Sequence, residues 1–367
     1  MASKERRYPE GKKLVSEQSD LNPTVSIIVP VKNGAATVQE LLESLMQIDY
    51  DKNKLEVIVV DGNSTDDTQE IVSKFPVGLL KEERPGLNAA RNTGINHSKG
   101  EIIAFTDCDC VVPRNWIKRL TEDFRNPQVG CVGGNILGYY DNFLSRYSDE
   151  SILPVMRIFK KRKVLSSVKP PLQYPAGCNM AARREAIEDV GGYNENLMYG
   201  FDEDELVERI CKKDYSMVLD PKVVVKHKHR LTLLELLKQN FQYGRGGGLL
   251  SKLEGTNSTF SRWILLCVSC FFLLCSAIAV LIFLVISAGS FISSVVLSAI
   301  LLLPPIGLMV FYLRQTFNEN NRGYKKVIVY PFIDIIRSIA FVSGAAYQLL
   351  RSVAKTEKVT QSGNSEI

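Results

Sequence analysis

The chain has 367 residues, of which 45% are hydrophobic and 23% are charged, and its formal net charge is +5. This length allows one domain of ordinary size and a second unit of about 100 residues. The basic residues are scattered and nearly balanced by acidic ones, which argues against a nucleic-acid-binding protein and favours attraction to anionic lipid. The eight cysteines lack zinc-site or disulfide-framework spacing, so we expect free thiols.

The N-terminal segment is polar. Residues 1–23 contain several lysines and arginines and lack the apolar core of a signal peptide. We therefore predict a flexible basic arm over residues 1–23 and no secretory leader.

Short apolar runs rich in β-branched residues follow, and they alternate with helical patterns. Three of these runs predict strands, at residues 24–31, 55–60 and 101–105. Strands that alternate with helices indicate an α/β fold with a mainly parallel central sheet.

Polar residues follow each of these three strands: Lys32-Asn33, Asp61-Gly62-Asn63 and Asp107-Cys108-Asp109. Ligands of parallel α/β sheets bind beyond the carboxyl ends of the strands, so the three clusters predict one binding site. Asp107 and Asp109 can direct two carboxylates at one divalent ion, for which oxygen ligands favour Mg²⁺ or Mn²⁺ over zinc. Such a pair also often caps a loop.

Several ordered segments resemble glycosyltransferase family 2, the inverting enzymes with a GT-A fold, over residues 24–250. They are SIIVPVKNG, VIVVDGNSTDDT and GLNAARNTGINHSKGEIIAFTDCDC. The resemblance implies a GT-A domain that binds a nucleotide-diphosphate sugar and Mg²⁺ or Mn²⁺. The missing G-x-G-x-x-G after the first strand argues against a dinucleotide-binding dehydrogenase.

The resemblance also implies roles for individual residues. The residues expected to bind the sugar donor are Pro30, Lys32, Asn33, Asp61, Arg91 and Asp107. Those expected to bind the metal ion are Asp107 and Asp109. Two alternatives stay open, namely that Asp61 caps a helix and that Arg91 is a surface charge. Many relatives have a second acidic residue where this chain has Gly62. Recognition of the nucleotide base would therefore depend on Asp61 alone or on the backbone.

Two later segments resemble the acceptor side of the family. Gly177-Cys178-Asn179-Met180 is similar to the segment beside the transferred sugar, which implies a contact from Asn179. GFDEDELVER resembles the Glu-Asp motif whose carboxylate is the general base, and both Glu203 and Asp204, beside Asp202, are candidates. The structural alternative is a solvated acidic helix start.

His227 and His229 follow a predicted strand at residues 223–225, and the resemblance implies that a histidine near this position completes the metal shell. A histidine near phosphate or on the surface is the alternative. The segment after residue 238 lacks the Arg-Trp of processive members, which favours transfer of a single sugar. Residues 243–246 resemble a nonprocessive ending, which implies a flexible loop over the donor with Arg245 near the sugar or acceptor.

Three apolar segments follow Arg262. Residues 263–286 are uncharged and would form a helix about 36 Å long, and residues 291–313 are also uncharged. Residues 327–350 contain Asp334 and Arg337, whose spacing lets them pair on one helical face. This third segment spans the membrane or lies at its interface.

The charges between these segments predict topology. Arg314, Arg322, Lys325 and Lys326 lie in the second link, whereas the first link, residues 287–290, is uncharged. The positive-inside rule therefore places the second link and the catalytic domain in the cytoplasm. We expect a basic arm (1–23), a GT-A domain (24–250), a transmembrane region (263–350) and a polar tail (351–367).

These features predict a membrane-anchored, metal-dependent glycosyltransferase at the cytoplasmic face of the cell membrane. It would move one sugar from a nucleotide-diphosphate sugar to a lipid-linked or membrane-proximal glycan acceptor. A processive polysaccharide synthase and a noncatalytic nucleotide-sugar-binding membrane scaffold are the alternatives. The intact Asp107 and Asp109 argue against the scaffold.

Overall fold

The structure is a computed structural model that describes residues 22–152, 158–170, 173–288, 291–318 and 323–351. The predicted basic arm and polar tail lie almost wholly outside the described residues. Arg322 of the predicted cytoplasmic link also lies outside them.

The described residues contain nine strands and eleven α-helices. The strands are β1 (Val25–Val31), β2 (Leu55–Asp61), β3 (Gly78–Lys81), β4 (Ile102–Phe105), β5 (Cys110–Val111), β6 (Val129–Gly138), β7 (Lys163–Leu165), β8 (Met180–Arg183) and β9 (Ser216–His227). The helices are α1 (Val38–Met46), α2 (Thr68–Ser73), α3 (Leu87–His97), α4 (Trp116–Thr121), α5 (Phe143–Glu150), α6 (Arg184–Glu188), α7 (Asp202–Lys212), α8 (Leu233–Glu254), α9 (Thr259–Ala288), α10 (Phe291–Asn318) and α11 (Tyr324–Leu350). Short 3₁₀ turns occur at Lys52–Lys54, Glu122–Arg125 and Gly177–Asn179.

All nine strands belong to one mixed sheet with the order β3-β2-β1-β4-β8-β6-β9-β5, and β7 also pairs with β9. Strands β1, β2, β3 and β4 are mutually parallel, and β6 is parallel to β9. Strand β8 lies antiparallel between β4 and β6, so β6 and β9 run in the same direction as the first four. The predicted α/β fold with a mainly parallel sheet is therefore confirmed.

Strand β1 lies in the centre of the parallel part, and all seven of its residues are buried. Because side chains alternate across a strand, Ile27 and Val29 pack in one hydrophobic core and Ile28 in the other. Leu41 and Leu45 of α1 belong to the first core, and Ile95 of α3 belongs to the second. Helices thus cover both faces of the sheet, which leaves its carboxyl-terminal edge as the open side.

Residues 243–246, which we predicted to form a flexible loop, lie in the interior of helix α8, so that prediction is wrong. The helix begins with a capping box formed by Thr232 and Glu235. Its glycines are tolerated because they allow close contacts: a Cβ on Gly244 would overlap the carbonyl oxygen of Phe341, and a Cβ on Gly246 would lie 2.7 Å from that of Tyr199. The boundary expected at residue 250 also falls inside this helix.

The C-terminal region is helical, as predicted. Within the described part of the chain, three helical stretches are long and apolar enough to cross a membrane: Thr259–Ser287, Phe291–Thr316 and Lys325–Leu350, with mean hydropathies of 2.9, 2.3 and 1.6. Helix α10 continues through Pro304 and Pro305. The most apolar parts of the first two stretches are not buried in the protein, whereas a third of the last one is.

Candidate active site

The polar clusters predicted at the ends of the first two strands are joined by hydrogen bonds. Val31 pairs with Asp61 at the ends of β1 and β2. The backbone N–H of Asn33 donates to Ser64 Oγ over 2.8 Å, and Asn33 Oδ1 accepts from the backbone N–H of Thr65 over 2.8 Å. Asn33 has a φ of 52°, a left-handed conformation that asparagine tolerates. The two loops therefore form one wall of the site.

Asp61 is buried, and its two carboxylate oxygens differ. Its Oδ2 accepts from Ser64 N over 3.1 Å and from Gln69 Nε2 over 2.7 Å. Its Oδ1 is buried and has no hydrogen-bond partner among the described residues. Asp61 thus stabilises its own turn and still offers one oxygen to a ligand. Pro30 lies buried inside β1, and Lys32 is exposed at the end of that strand.

Arg91 is only 3% exposed, which rules out the surface-charge alternative. Its Nη1 donates to Asp202 Oδ2, and its Nη2 lies 3.8 Å from Asp107 Oδ1. Its guanidinium carbon also lies 5.0 Å from the centre of the Tyr193 ring. Arg91 thus connects the strand-end aspartates with the acidic start of α7.

Among the described residues, the side chains of Asp109, Cys110 and His227 lie close enough together to bind one metal ion. Their ligand atoms lie within 4.8 Å of one another, and Asp109 Oδ1 is 3.2 Å from His227 Nε2. Cys110 and His227 are directly opposite on β5 and β9. Burial favours neutral His227, but Asp109 more than offsets this and raises the pKa of His227 to about 9. Burial also raises the pKa of Asp107, although Arg91 opposes the shift.

His229 does not face this cluster directly. Its Nδ1 lies 3.1 Å from His227 Nδ1, and its Nε2 lies 2.9 Å from Asp149 Oδ1. Asp149 also accepts from the backbone N–H of Gly138 over 2.9 Å. Sequence reasoning missed Asp149 because it lies 80 residues from His229 in a segment without a motif.

The acidic start of α7 places its three candidate carboxylates in different surroundings. Asp202 is buried in the ion pair with Arg91, and Asp204 is only 1% exposed. Glu203 is partly exposed, and its Oε1 accepts from the backbone N–H of Gly177 over 3.3 Å. Burial, reinforced by Glu203 and opposed by Arg91, raises the pKa of Asp202 to about 7.

Three residues immediately before α7 have left-handed backbone conformations. Tyr199, Gly200 and Phe201 have φ values of 74°, 104° and 66°, all in the left-handed region. Glycine adopts such a conformation readily, whereas the same conformation costs energy at Tyr199 and Phe201. The carbonyls of Tyr199 and Gly200 are seated against Gly246 of α8, which supports the turn.

A cavity of about 720 Å³ joins this site to the C-terminal helices. Its lining includes Arg91, Asp107, Asp202, Glu203 and Asp204. It also includes Trp263 and Cys267 of α9 and Asp334, Arg337, Ser338, Phe341 and Val342 of α11. The polar cleft and the apolar helices thus share one continuous space.

The described residues that line this cavity do not include Asn179 or Arg245. Asn179 is fully buried; its Oδ1 accepts from Trp116 Nε1 over 2.8 Å, and its Nδ2 donates to the carbonyl of Asn135 over 2.8 Å. The Arg245 guanidinium carbon lies 4.0 Å from the centre of the Tyr199 ring. Their expected contacts with the sugar or acceptor stay predictions, and the geometry favours structural roles.

Comparisons with known proteins identify the family of this chain. Residues 26–191 match the family model described as glycosyl transferase family 2. The chain is 34% identical to glycosyltransferase AglE of Haloferax volcanii over 233 residues, which are 61% of this chain and 73% of that protein. It is 26% identical to beta-monoglucosyldiacylglycerol synthase of Synechocystis sp. over 235 residues, 61% of this chain and 48% of the synthase. The chain thus spans about half the length of the synthase.

A solved structure is similar to this chain over nearly its whole length. Mannosyltransferase PcManGT from Pyrobaculum calidifontis, in complex with GDP-Man and Mn²⁺, superposes with a TM-score of 0.55 at 20% identity. The superposition covers 90% of this chain and 87% of the mannosyltransferase. At this level of identity the likeness concerns the fold, and it agrees with the predicted GT-A architecture.

Proposed function

The chain belongs to glycosyl transferase family 2, and from this we propose that it transfers one sugar, with inversion, from a nucleotide-diphosphate sugar to a lipid-linked acceptor. The reaction would take place at the cytoplasmic face of the cell membrane. The observation that carries the proposal is the cavity, which joins the acidic start of α7 to apolar side chains of α9 and α11.

The donor nucleotide is assigned to the wall formed by the loops after β1 and β2. Burying a carboxylate oxygen without a hydrogen-bond partner costs free energy. Asp61 Oδ1 would therefore accept a hydrogen bond from the nucleotide, for example from a base N–H or a ribose hydroxyl. Lys32 and Asn33 belong to the same wall, and the positive charge of Arg91 would attract the diphosphate. The GDP-Man held by the Pyrobaculum mannosyltransferase supports this class of donor.

A divalent ion fits the cluster beside Asp107. Asp109 supplies a carboxylate, His227 an imidazole and Cys110 a thiol, with their ligand atoms within 4.8 Å of one another. The carboxylates of Asp109 and the neighbouring Asp107 suit Mn²⁺, and Mn²⁺ is the ion in the Pyrobaculum complex. When bound, the ion would stabilise negative charge on the leaving diphosphate. Asp107 and Asp109 are thus proposed as ligands, with His227 completing the set and His229 behind it.

Glu203 is the proposed general base. In a single displacement, the acceptor oxygen bonds to the anomeric carbon, the bond from that carbon to the diphosphate oxygen breaks, and the hydroxyl proton passes to the base. Glu203 is partly exposed on the cavity, whereas Asp202 is paired with Arg91 and Asp204 is buried. Asp202 would then hold Arg91 in position, 3.8 Å from Asp107.

The acceptor is assigned to the rest of the cavity. Trp263 and Cys267 lie in the first turns of the most apolar helix, and Phe341 and Val342 face the same space. Such a surface favours a hydrocarbon chain, while the polar end next to Glu203 favours a hydroxyl or phosphate. An amphipathic acceptor that stays in the membrane satisfies both ends.

The full-length protein in detergent or nanodiscs, screened with nucleotide sugars and Mn²⁺, provides the test. We expect one donor to release nucleoside diphosphate, and the rate to rise at least tenfold with a lipid-linked acceptor but not with its water-soluble headgroup. Equal rates with both acceptors would show that the enzyme does not recognise the lipid part of the acceptor. Donor binding without release under any condition would instead indicate a noncatalytic scaffold.

A further inference from the structure

Helix α11 has the length and composition of a third membrane span, but its contacts hold it along the side of the catalytic domain. We propose that α11 lies in the membrane interface beside α8. Of the three candidate helices, α9 and α10 cross the bilayer and α11 does not. The end of α11 then remains on the same side as the catalytic site.

The first observation is that α8 and α11 run parallel and touch over several turns. Arg337 Nε donates to Asn240 Oδ1 over 3.2 Å near the start of the contact. One turn later, Gly244 lies against the carbonyl of Phe341, and after another turn Gly248 lies against that of Ala345. Lys252 Nζ then donates to the carbonyl of Arg351. From residue 240 to residue 252 the shared length is about 18 Å.

The second observation is that α8 cannot lie in hydrocarbon. Its Leu250 packs in the same core as Ile28 of the central strand, and its Gly246 supports the turn before α7. It also carries five charged residues: Glu235, Lys238, Arg245, Lys252 and Glu254. If α11 crossed the bilayer beside α8, part of the catalytic core and these charges would enter the hydrocarbon, which is energetically prohibitive.

The third observation is that both ends of α11 are bound on the catalytic side. At its start, Lys326 Nζ lies 3.1 Å from Glu150 Oε2 of α5. At its end, the carbonyl of Arg351 accepts from Lys252 of α8. A helix of 27 residues is about 40 Å long, so a transmembrane α11 would separate its ends by the whole hydrocarbon thickness.

The charged residues in the middle of α11 face the catalytic domain. Asp334 accepts from Tyr147 Oη over 2.7 Å and from Tyr312 Oη. Arg337 donates to the same Tyr147 hydroxyl over 2.9 Å and to Ser151 Oγ over 3.3 Å. The two residues predicted to pair therefore meet at Tyr147, and both charges have protein side chains as partners.

The opposite face of α11 presents an apolar stripe. Its exposed side chains recur every three or four residues along the first half of the helix and include one more at its end: Ile328, Phe332, Ile336, Ile339 and Leu350. A helix with one face on protein and one apolar face exposed suits the boundary between headgroups and acyl chains. This face would contact the same bilayer that α9 enters, because Ile264 near the start of α9 packs in one cluster with Ala345 of α11.

Reporter fusions test the topology directly and do not depend on catalysis, so their outcome is separate from that of the proposed function. Reporters are placed before Met1, after Ser290, after Asn320 and after Ile367 of the full chain. We expect the reporter after Ser290 alone to be on the far side of the membrane. A reporter after Ile367 on the side opposite to Met1 would overturn the proposal.

Depth measurements supply an independent test. Ile339→Cys and Leu273→Cys carry spin labels in a background in which Cys267, Cys270 and Cys275 are replaced by alanine. Leu273 is 71% exposed in the apolar stretch of α9 and is the matched control for a label in the bilayer interior. We expect the label at residue 339 about 5–10 Å below the headgroups, as for interfacial helices, and clearly shallower than that at residue 273. Equal depth of the two labels would contradict the proposal.

Discussion

His229 Nε2 lies 2.9 Å from Asp149 Oδ1, in a chain of contacts that leads to the proposed metal site. The other ring nitrogen of His229 lies 3.1 Å from His227, and His227 faces Asp109 through its Nε2. A carboxylate that accepts from His229 Nε2 leaves His229 Nδ1 as an acceptor for the Nδ1–H of neutral His227. His227 Nε2 is then the nitrogen available to a metal ion.

We therefore predict that Asp149→Asn weakens Mn²⁺ binding by about 10- to 100-fold, as losses of such outer partners typically do. An amide can present an N–H where the carboxylate accepted, which would disturb the tautomer of both histidines. Electron paramagnetic resonance of free Mn²⁺ measures the affinity directly. Asp141→Asn is the control, because Asp141 is exposed and pairs only with Arg146 among the described residues. Equal Mn²⁺ affinity in both variants would contradict this role of Asp149.

Asp109→Ala should abolish transfer and metal-dependent donor binding while leaving folding nearly intact, because a strand-end carboxylate contributes little to the core. Donor binding by calorimetry with and without Mn²⁺ measures the effect. The wild-type protein treated with EDTA should behave in the same way. Full activity of the variant in the presence of EDTA would show that no metal ion acts at this position.

Glu203→Gln should lower kcat by about 10²- to 10⁴-fold with a hydroxyl acceptor, because the charge that takes up the proton is lost while shape is kept. Asp204→Asn is the matched comparison, and we expect a smaller loss because Asp204 is buried. Steady-state kinetics at saturating donor separate kcat from binding. A lipid phosphate acceptor is already anionic and would reduce the loss. If both variants keep near-normal kcat with a sugar hydroxyl, neither residue is the base.

Asp202→Asn should destabilise the protein by about 3 kcal/mol, because it leaves the buried Arg91 without its closest counter-charge. Asp123→Asn provides a control, since Asp123 pairs with the half-exposed Arg162 and its loss should cost less than about 1 kcal/mol. Thermal unfolding in detergent compares the two. Similar Tm values for both variants would show that Arg91 does not depend on Asp202.

Gly244→Ala should lower the Tm and the activity, because the added methyl group would overlap the carbonyl of Phe341 and push α8 and α11 apart. Gly307→Ala in α10 is the matched control, since a Cβ there meets no described atom within 4 Å. Replacing glycine in an open helix position stabilises the helix by about 0.5–1 kcal/mol. Equal Tm values for the two variants would show that the contact between α8 and α11 contributes nothing to stability.

The parallel strands, the polar residues at their ends and the apolar helices were predictable because each depends on a local pattern. Residues 24–31 predict β1 to within one residue, and the position of Asp107 and Asp109 after a buried strand predicts an open edge. The uncharged residues 263–286 form a helix because a long apolar run has few other stable states. The resemblance to the family rested on the same short segments.

Tertiary structure decided which of these residues act together. The proposal of Glu203 rather than Asp204 as the base depends on which carboxylate is buried when α7 packs, and the sequence of three adjacent acidic residues does not distinguish them. The proposed role of Asp149 depends on a contact across 80 residues, for which local spacing carries no information. Helix α8 forms where a loop was predicted, and its glycines allow close packing against α11. The proposed interfacial position of α11 likewise depends on its contacts with α8. Burial and long-range contact are properties of the folded chain, since they depend on what other segments bring to a residue.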